Sequence, residues 1–149
     1  MPSRVEDPLV SFSFAIEVQG IISGFFSEVS GLGSETEVVD HKVMTKDGKQ
    51  EIVRKIPGRN KWGDISLKRG ITSIMDVWQW RKMVEDGDIA GARKNGSIMM
   101  MNQSGDIVAQ WDFVNAWPSK VSGPSIQADS NALGVEEMTI VHEGITRVQ

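Results

Sequence analysis

The sequence predicts a mainly β protein, a β-sandwich or barrel with one packed α-helix, formed as a single domain over residues 1–149. Three observations carry this. Period-2 alternation of apolar and polar residues recurs in several stretches. Gly-, Asp-, Asn- and Ser-rich turn chemistry separates those stretches, and only the segment after Gly70 shows apolar residues at 3.6 spacing. A chain of 149 residues with 40% hydrophobic and 24% charged content can bury a sizeable core.

The elements follow in chain order. Residues 1–10 carry Pro2 and Pro8 and read as a mobile N-terminal arm. Ser11 to Gln19 alternates, with Phe12, Phe14, Ile16 and Val18 on one face, which predicts a strand that places Phe12 and Phe14 in the core. Gly20 and Gly24 bracket Ile21-Ile22, and the adjacent Phe25-Phe26 is read as core and turn packing. Glu35 to Met44 and Glu51 to Ile56 are expected to pair as a hairpin reversing at Asp47-Gly48. Both strands are polar at most positions, so the hairpin either projects into solvent or docks on another chain. Pro57-Gly58 is expected to turn the chain, after which Ile65 and Leu67 alternate with polar residues up to Gly70.

The predicted helix starts at Ser73 as N-cap, with Asp76 three residues on as in a capping box, and ends with Gly87 at C′. Ile74, Val77, Trp78, Trp80 and Val84 form its apolar stripe, which makes Trp78 and Trp80 core anchors. Ser97 to Asn102 is a short strand, and Ile107 to Trp117 is the longest, ended by Pro118. In the long strand Ile107, Ala109, Trp111, Phe113 and Trp117 share one face, with Gln110, Asp112 and Ala116 on the other, so Trp111 and Phe113 are assigned to the core. Ser119 to Leu133 reads as a loop and Val135 to Glu143 as the last strand.

Charge is distributed unevenly. Between Lys42 and Arg69 lie nine of the sixteen Lys and Arg residues against three acids, a segment of +6 on a remainder of −10. Three readings of this basic arm, a protruding hairpin over residues 42–62, stand side by side. It is a solvated hairpin, a nucleic-acid arm, or a self-assembly arm whose cations meet the acidic body of the next subunit. Trp62 is the only aromatic in the segment, so composition favours the first and third.

Chemistry is sparse. The chain has no cysteine, which excludes disulfides, thiolate metal sites and thiol nucleophiles. His41 and His142 are far apart and outside any metal spacing. Gly31-Leu32-Gly33 lacks the third glycine of a dinucleotide fingerprint, and Glu85-Asp86-Gly87-Asp88 fails the calcium-loop pattern. The pairs Glu35/Glu37 and Glu136/Glu137 are read as solvated faces. The expectation is a non-enzyme without cofactor, metal ion or catalytic residue. No run of 18 apolar residues and no apolar signal core appears, so cytoplasmic synthesis and assembly without stable membrane association is expected.

Four motifs, taken together, resemble the tail tube proteins of contractile phage tails and related contractile injection systems. They are Phe26-Ser27-Glu28-Val29-Ser30-Gly31-Leu32, Glu35-Thr36-Glu37-Val38-Val39, Ile56-Pro57-Gly58-Arg59 with Trp62-Gly63 and Leu67-Lys68-Arg69-Gly70, and Trp111 to Pro118. Trp78-Gln79-Trp80 and Glu136-Glu137-Met138-Thr139-Ile140 fall in the expected order, and the resemblance spans about Ser11 to Gly144. It implies a subunit that forms hexameric rings, stacked into a hollow tube inside a contractile sheath. Sheath contraction would drive the tube through a target envelope, with cargo or DNA in the lumen. Implied partners are further copies of the chain, sheath subunits, and baseplate and tube-terminating proteins. The hairpin arm would reach a neighbouring subunit or ring, which assigns Lys42, Lys46, Gly48, Lys49, Arg54, Lys55, Arg59 and Trp62 to the inter-subunit interface. The alternative is a monomeric binding module whose basic hairpin docks an acidic partner or nucleic acid. On the assembly reading, reversing Lys49, Arg54 and Lys55 to Glu leaves the monomer folded but blocks tubes; normal tube length and yield by electron microscopy would refute it.

Overall fold

The computed structural model describes residues 12–71, 73–124 and 134–149. The expected N-terminal arm, and most of the loop expected before the last strand, lie outside the described residues. Strands β1 (Ser13–Val18), β2 (Ile22–Phe26), β3 (Glu28–Ser30), β4 (Ser34–Met44), β5 (Glu51–Trp62) and β6 (Ile65–Gly70) precede helices α1 (Asp76–Glu85) and α2 (Ile89–Ala92). Strands β7 (Lys94–Met101), β8 (Ile107–Ser122), β9 (Val135–Val141) and β10 (Gly144–Arg147) complete the chain. Two sheets result. One is antiparallel in the order β2-β1-β7-β8-β9-β6-β3, with β10 also on β8; the other is the β4–β5 pair by itself.

β8 joins the two halves of the larger sheet. Its first part pairs with β7, and along its other edge it pairs with β10 and then β9. Between these parts Asn115 takes φ 51°, with its N–H on Asn95 Oδ1 and its amide donating to Glu143 Oε2 at 2.7 Å. An irregularity of this kind breaks the period-2 rule. Phe113 and Ala116, three apart, are both buried, so Ala116 joins the core rather than the opposite face. Pro118 is buried inside β8, where the register shifts, instead of ending it. The strand therefore runs to Ser122, into the segment expected to be loop.

The core comprises Ile16, Val18, Ile22 and Phe26 from β1 and β2, Ile65 and Leu67 from β6, Val77 and Trp80 from α1, and Ile98, Phe113, Met138 and Ile140. Trp80 is fully buried and its indole N–H donates to Ala92 O at 2.7 Å, so burial leaves no orphaned donor. Phe12, Phe14, Trp78 and Trp111, assigned to the core from sequence, are half-buried, while Phe113 lies fully inside. Arg147 stacks over Trp111 with 5.6 Å between guanidinium and ring centroid. Ile74 is 57% exposed and precedes the helix, outside the apolar stripe to which the periodicity assigned it.

Helix α1 begins two residues later than its sequence signals. Met75 is the N-cap and makes no side-chain cap, and Asp76 binds Arg69 and its own helix, accepting from Val77 N–H at 2.8 Å. The C-terminus follows the sequence reading. Gly87 takes φ 87°, its N–H reaches Val84 O, and Asp88 N–H reaches Met83 O, a Schellman closure. Asp88 then caps α2 by accepting from Gly91 N–H, a helix too short to leave a periodic signal.

Arg69 connects these layers. Its Nε donates to Glu136 Oε1 and a terminal nitrogen to Asp76 Oδ1, both at 2.5 Å, while the guanidinium sits 5.1 Å from the Phe26 ring centroid. Trp78 Nε1–H donates to the other Glu136 oxygen at 2.7 Å. Burial alone would lower the Arg69 pKa; hydrogen bonds to Asp76 and Glu136 and their charges outweigh it and raise the pKa.

Trp80→Ala should cost about 3–5 kcal/mol in denaturant unfolding, because a fully buried indole and its hydrogen bond are lost together. Trp111→Ala should cost distinctly less; equal losses would show that the half-buried ring is as much core as Trp80.

Candidate assembly surface

The β4–β5 hairpin is a sheet of two strands that, among the described residues, pair only with each other, 11 and 12 residues long. Val43 is half-buried and every other residue of both strands is exposed. At about 3.4 Å per residue the arm is roughly 35 Å long. Its tip follows the Asp47-Gly48 signal. Gly48 takes φ 68° with its N–H on Thr45 O at 2.8 Å, and Thr45 N–H closes onto Gln50 O at 2.9 Å. Asp47 accepts from the Thr45 hydroxyl and from Lys49 N–H, and these bonds lower its pKa.

The expected turn at Pro57-Gly58 is absent. β5 runs on to Trp62, and the register shifts where Gly58 and Arg59 face Glu37. The signal was real but belongs to a bulge: proline is tolerated at a bulge or edge because no ladder donor is required of it there. A Cβ on Gly58 would stand 3.1 Å from Glu37 O and 3.2 Å from Val39 Cγ2, tighter than most side chains accept. Ser34 then pairs with Trp62, and Thr36 Oγ1 donates to Asn60 Oδ1 at 2.8 Å.

The root is held by two close crossings. Gly31 takes φ 86°, and a Cβ there would fall 1.9 Å from Asp64 O, so no other residue fits. Trp62 packs beside His142 with ring centroids 6.1 Å apart. Gly144 N–H donates to His142 Nδ1 at 3.1 Å, which makes Nδ1 the acceptor and Nε2–H the donor to Gly63 O at 3.0 Å.

The predicted interface residues sort along this arm. Lys46, Gly48 and Lys49 occupy the tip, Lys42, Arg54 and Lys55 the outer half, and Arg59 and Trp62 the bulge and root. Lys55 pairs with Asp40 at 2.7 Å, Lys42 with Glu51 at 3.7 Å and Lys61 with Glu37 at 2.7 Å. Among the described residues Lys46, Lys49, Arg54 and Arg59 stand in no ion pair. As a folded unit, residues 34–62 hold seven Lys and Arg against five Asp and Glu, or +2, on a remainder of −6. The linear window from 42 to 69 omitted Glu35, Glu37 and Asp40 and counted Asp64, Lys68 and buried Arg69, which belong to the body. Glu136, read as part of a solvated face, is also buried. Its alternation with Met138 and Ile140 on β9 was the available signal.

Among the described residues no group of three or more His, Cys, Asp or Glu side chains could hold a metal ion, and no helix is long and apolar enough to cross a membrane.

A model of the T4-like virus tail tube protein gp19 family matches residues 10–146. A comparison with curated protein sequences finds no match. Among solved structures, a chain in the sheath–tube complex of the extracellular contractile injection system PVC, in its extended state, is 23% identical, with TM-score 0.80 over 96% of this chain and 93% of that one. A chain in the anti-feeding prophage tube terminating cap is 21% identical, with TM-score 0.79 over 99% and 95%. Hcp1 from Flavobacterium johnsoniae is 17% identical, with TM-score 0.54 over 91% and 94%. At these identities the structures establish a shared fold.

Gly31→Ala should destabilise the protein by about 2 kcal/mol or more, since the new Cβ meets backbone and the residue must keep a positive φ. An unchanged denaturation midpoint would show that the root crossing rearranges freely.

Proposed function

Because the chain belongs to the T4-like virus tail tube protein gp19 family, we propose that it is the inner tube subunit of a contractile tail or injection particle, stacking as hexameric rings into a hollow tube. The observation that carries this reading is the β4–β5 hairpin. A two-stranded ribbon is marginal alone in water, yet this one extends with 23 residues in its strands and exposes Val38, Val39, Met44, Ile52, Val53 and Ile56. Neighbouring subunits would cover one side of it and would pair the exposed sheet edges. The unpaired cations Lys46, Lys49, Arg54 and Arg59 would orient the arm toward the acidic body of the next copy, and apolar burial would supply most of the affinity.

The function on this reading is mechanical. The tube is pushed through a target envelope by a contracting sheath and conducts cargo or DNA. Similar chains come from a sheath–tube complex, a tube terminating cap and a baseplate, which supports sheath, terminator and baseplate proteins as partners. The family is structural, and no catalytic role is assigned to any residue. Synthesis and assembly are placed in the cytoplasm.

Electron microscopy of the purified, concentrated protein tests the reading, with an oligonucleotide shift run alongside. Six-fold rings or tubes are expected. Monodisperse monomers with salt-sensitive oligonucleotide binding would overturn it in favour of a binding module that uses the same cations.

A further inference from the structure

The two faces of the β4–β5 hairpin differ in chemistry. Alternation along the paired strands places Val38, Asp40, Lys42, Met44, Glu51, Val53 and Lys55 on one face. The Asp40–Lys55 and Lys42–Glu51 ion pairs confirm that these side chains share it, and they balance its charge. The other face carries two apolar cross-strand pairs, Val39 with Ile56 and Val43 with Ile52. Between them lies His41 opposite Arg54, and neither is in an ion pair among the described residues.

We propose that the face bearing Val39, Val43, Ile52, Arg54 and Ile56 is buried against a second copy of this chain, while the face bearing the two ion pairs stays in water. This inference rests on the assembly reading above and adds which side of the arm makes the contact. Beyond the Glu37–Lys61 pair, which lies on the first face nearer the root, burial of that face removes two pairs of β-branched side chains from water, a favourable transfer, and requires only one anion, for Arg54. Burial of the second would cover Val38, Met44 and Val53, but only by desolvating two cations and two carboxylates that already satisfy each other, a cost that seldom returns as stability. The needed anion is available on a second copy, since outside the hairpin fifteen carboxylate side chains stand against nine Lys and Arg. Glu17 and Asp112, for example, flank Ser97 across β1, β7 and β8 with no cation in ion-pair reach among the described residues. The hairpin itself does not supply this anion, because Asp40 and Glu51 face the other way, Glu37 is engaged by Lys61, Glu35 lies at the root opposite Lys61, and Asp47 is bonded within the tip.

Adjacent residues test the two faces within one strand. Arg54→Glu should lower the assembled fraction by about tenfold or more at fixed concentration, and Lys55→Glu should keep it within about twofold of the parent, as expected for loss of an exposed pair. Far-UV circular dichroism checks that both variants fold. A second readout uses the absence of cysteine. Ile52 and Val53 are 46% and 47% exposed in the free chain, so single Ile52→Cys and Val53→Cys variants start out equally reactive toward a maleimide. In sedimented assemblies the first should be protected and the second should remain reactive; failure of Ile52→Cys alone to assemble would support the same face. Equal protection of both, protection of Val53→Cys alone, or equal sensitivity to Arg54→Glu and Lys55→Glu would overturn the inference while leaving the tube reading intact. A parent chain that forms no assembly would overturn both.

Discussion

A guanidinium enclosed by an aromatic ring, two strands and a helix is tolerable only if its charge is answered on the spot. Arg69 is answered twice, by Glu136 from β9 and by Asp76 from the first turn of α1. Removing either carboxylate would leave a buried charge short of a partner, a much larger loss than the net value of an intact pair. The arrangement also dictates position. Strand β6 pairs directly with β9, the helix start is tied to β6 through Asp76, and Trp78 returns from the helix to Glu136. Phe26, at the end of β2, lies against the same guanidinium and draws the far edge of the sheet toward β6. One side chain therefore sets the relation between the helix and both ends of the strand order.

The body so fixed leaves the hairpin outside it. The root at Gly31, Gly63 and Trp62 is well determined by the Asp64 crossing and by His142, so the arm leaves the domain in a defined direction. Beyond the root nothing among the described residues covers it. Its charges are partly resolved within the ribbon, and the tip carries Lys46 and Lys49, a placement that discourages indiscriminate edge-to-edge pairing of the free subunit.

Much of this was legible in the residues. Alternation identified β1, β4, β6 and most of β8, the Asp47-Gly48 signal located the hairpin tip, and Gly87 marked the end of the helix. The failures share a cause: sequence signals are local, and the deciding constraints were not. Pro57 and Pro118 read as strand breakers, but each sits where a register shift relieves the missing donor. Ser73 and Asp76 formed a plausible capping box, yet Asp76 is recruited by an arginine seven positions earlier. Glu136 looked solvated beside Glu137 because its partners lie 67 and 58 residues away. The arm's charge was overstated because a linear window left out Glu35, Glu37 and Asp40, two of which face Lys61 and Lys55 across the ribbon.

The bulge where Gly58 and Arg59 face Glu37 has a consequence for how the arm can vary in length. Side chains in a strand change sides at every residue, so one extra residue on β5 is what brings Trp62 to the face it shares with Val53 and Lys55. An insertion or deletion of one residue on each strand between the bulge and the tip would keep the root anchored and exchange the two outer faces. Changes of two residues on each strand would alter reach by roughly 7 Å and leave the faces as they are. The permissible lengths of this hairpin are thus spaced in even steps, and its single odd step is the one already built in at Gly58.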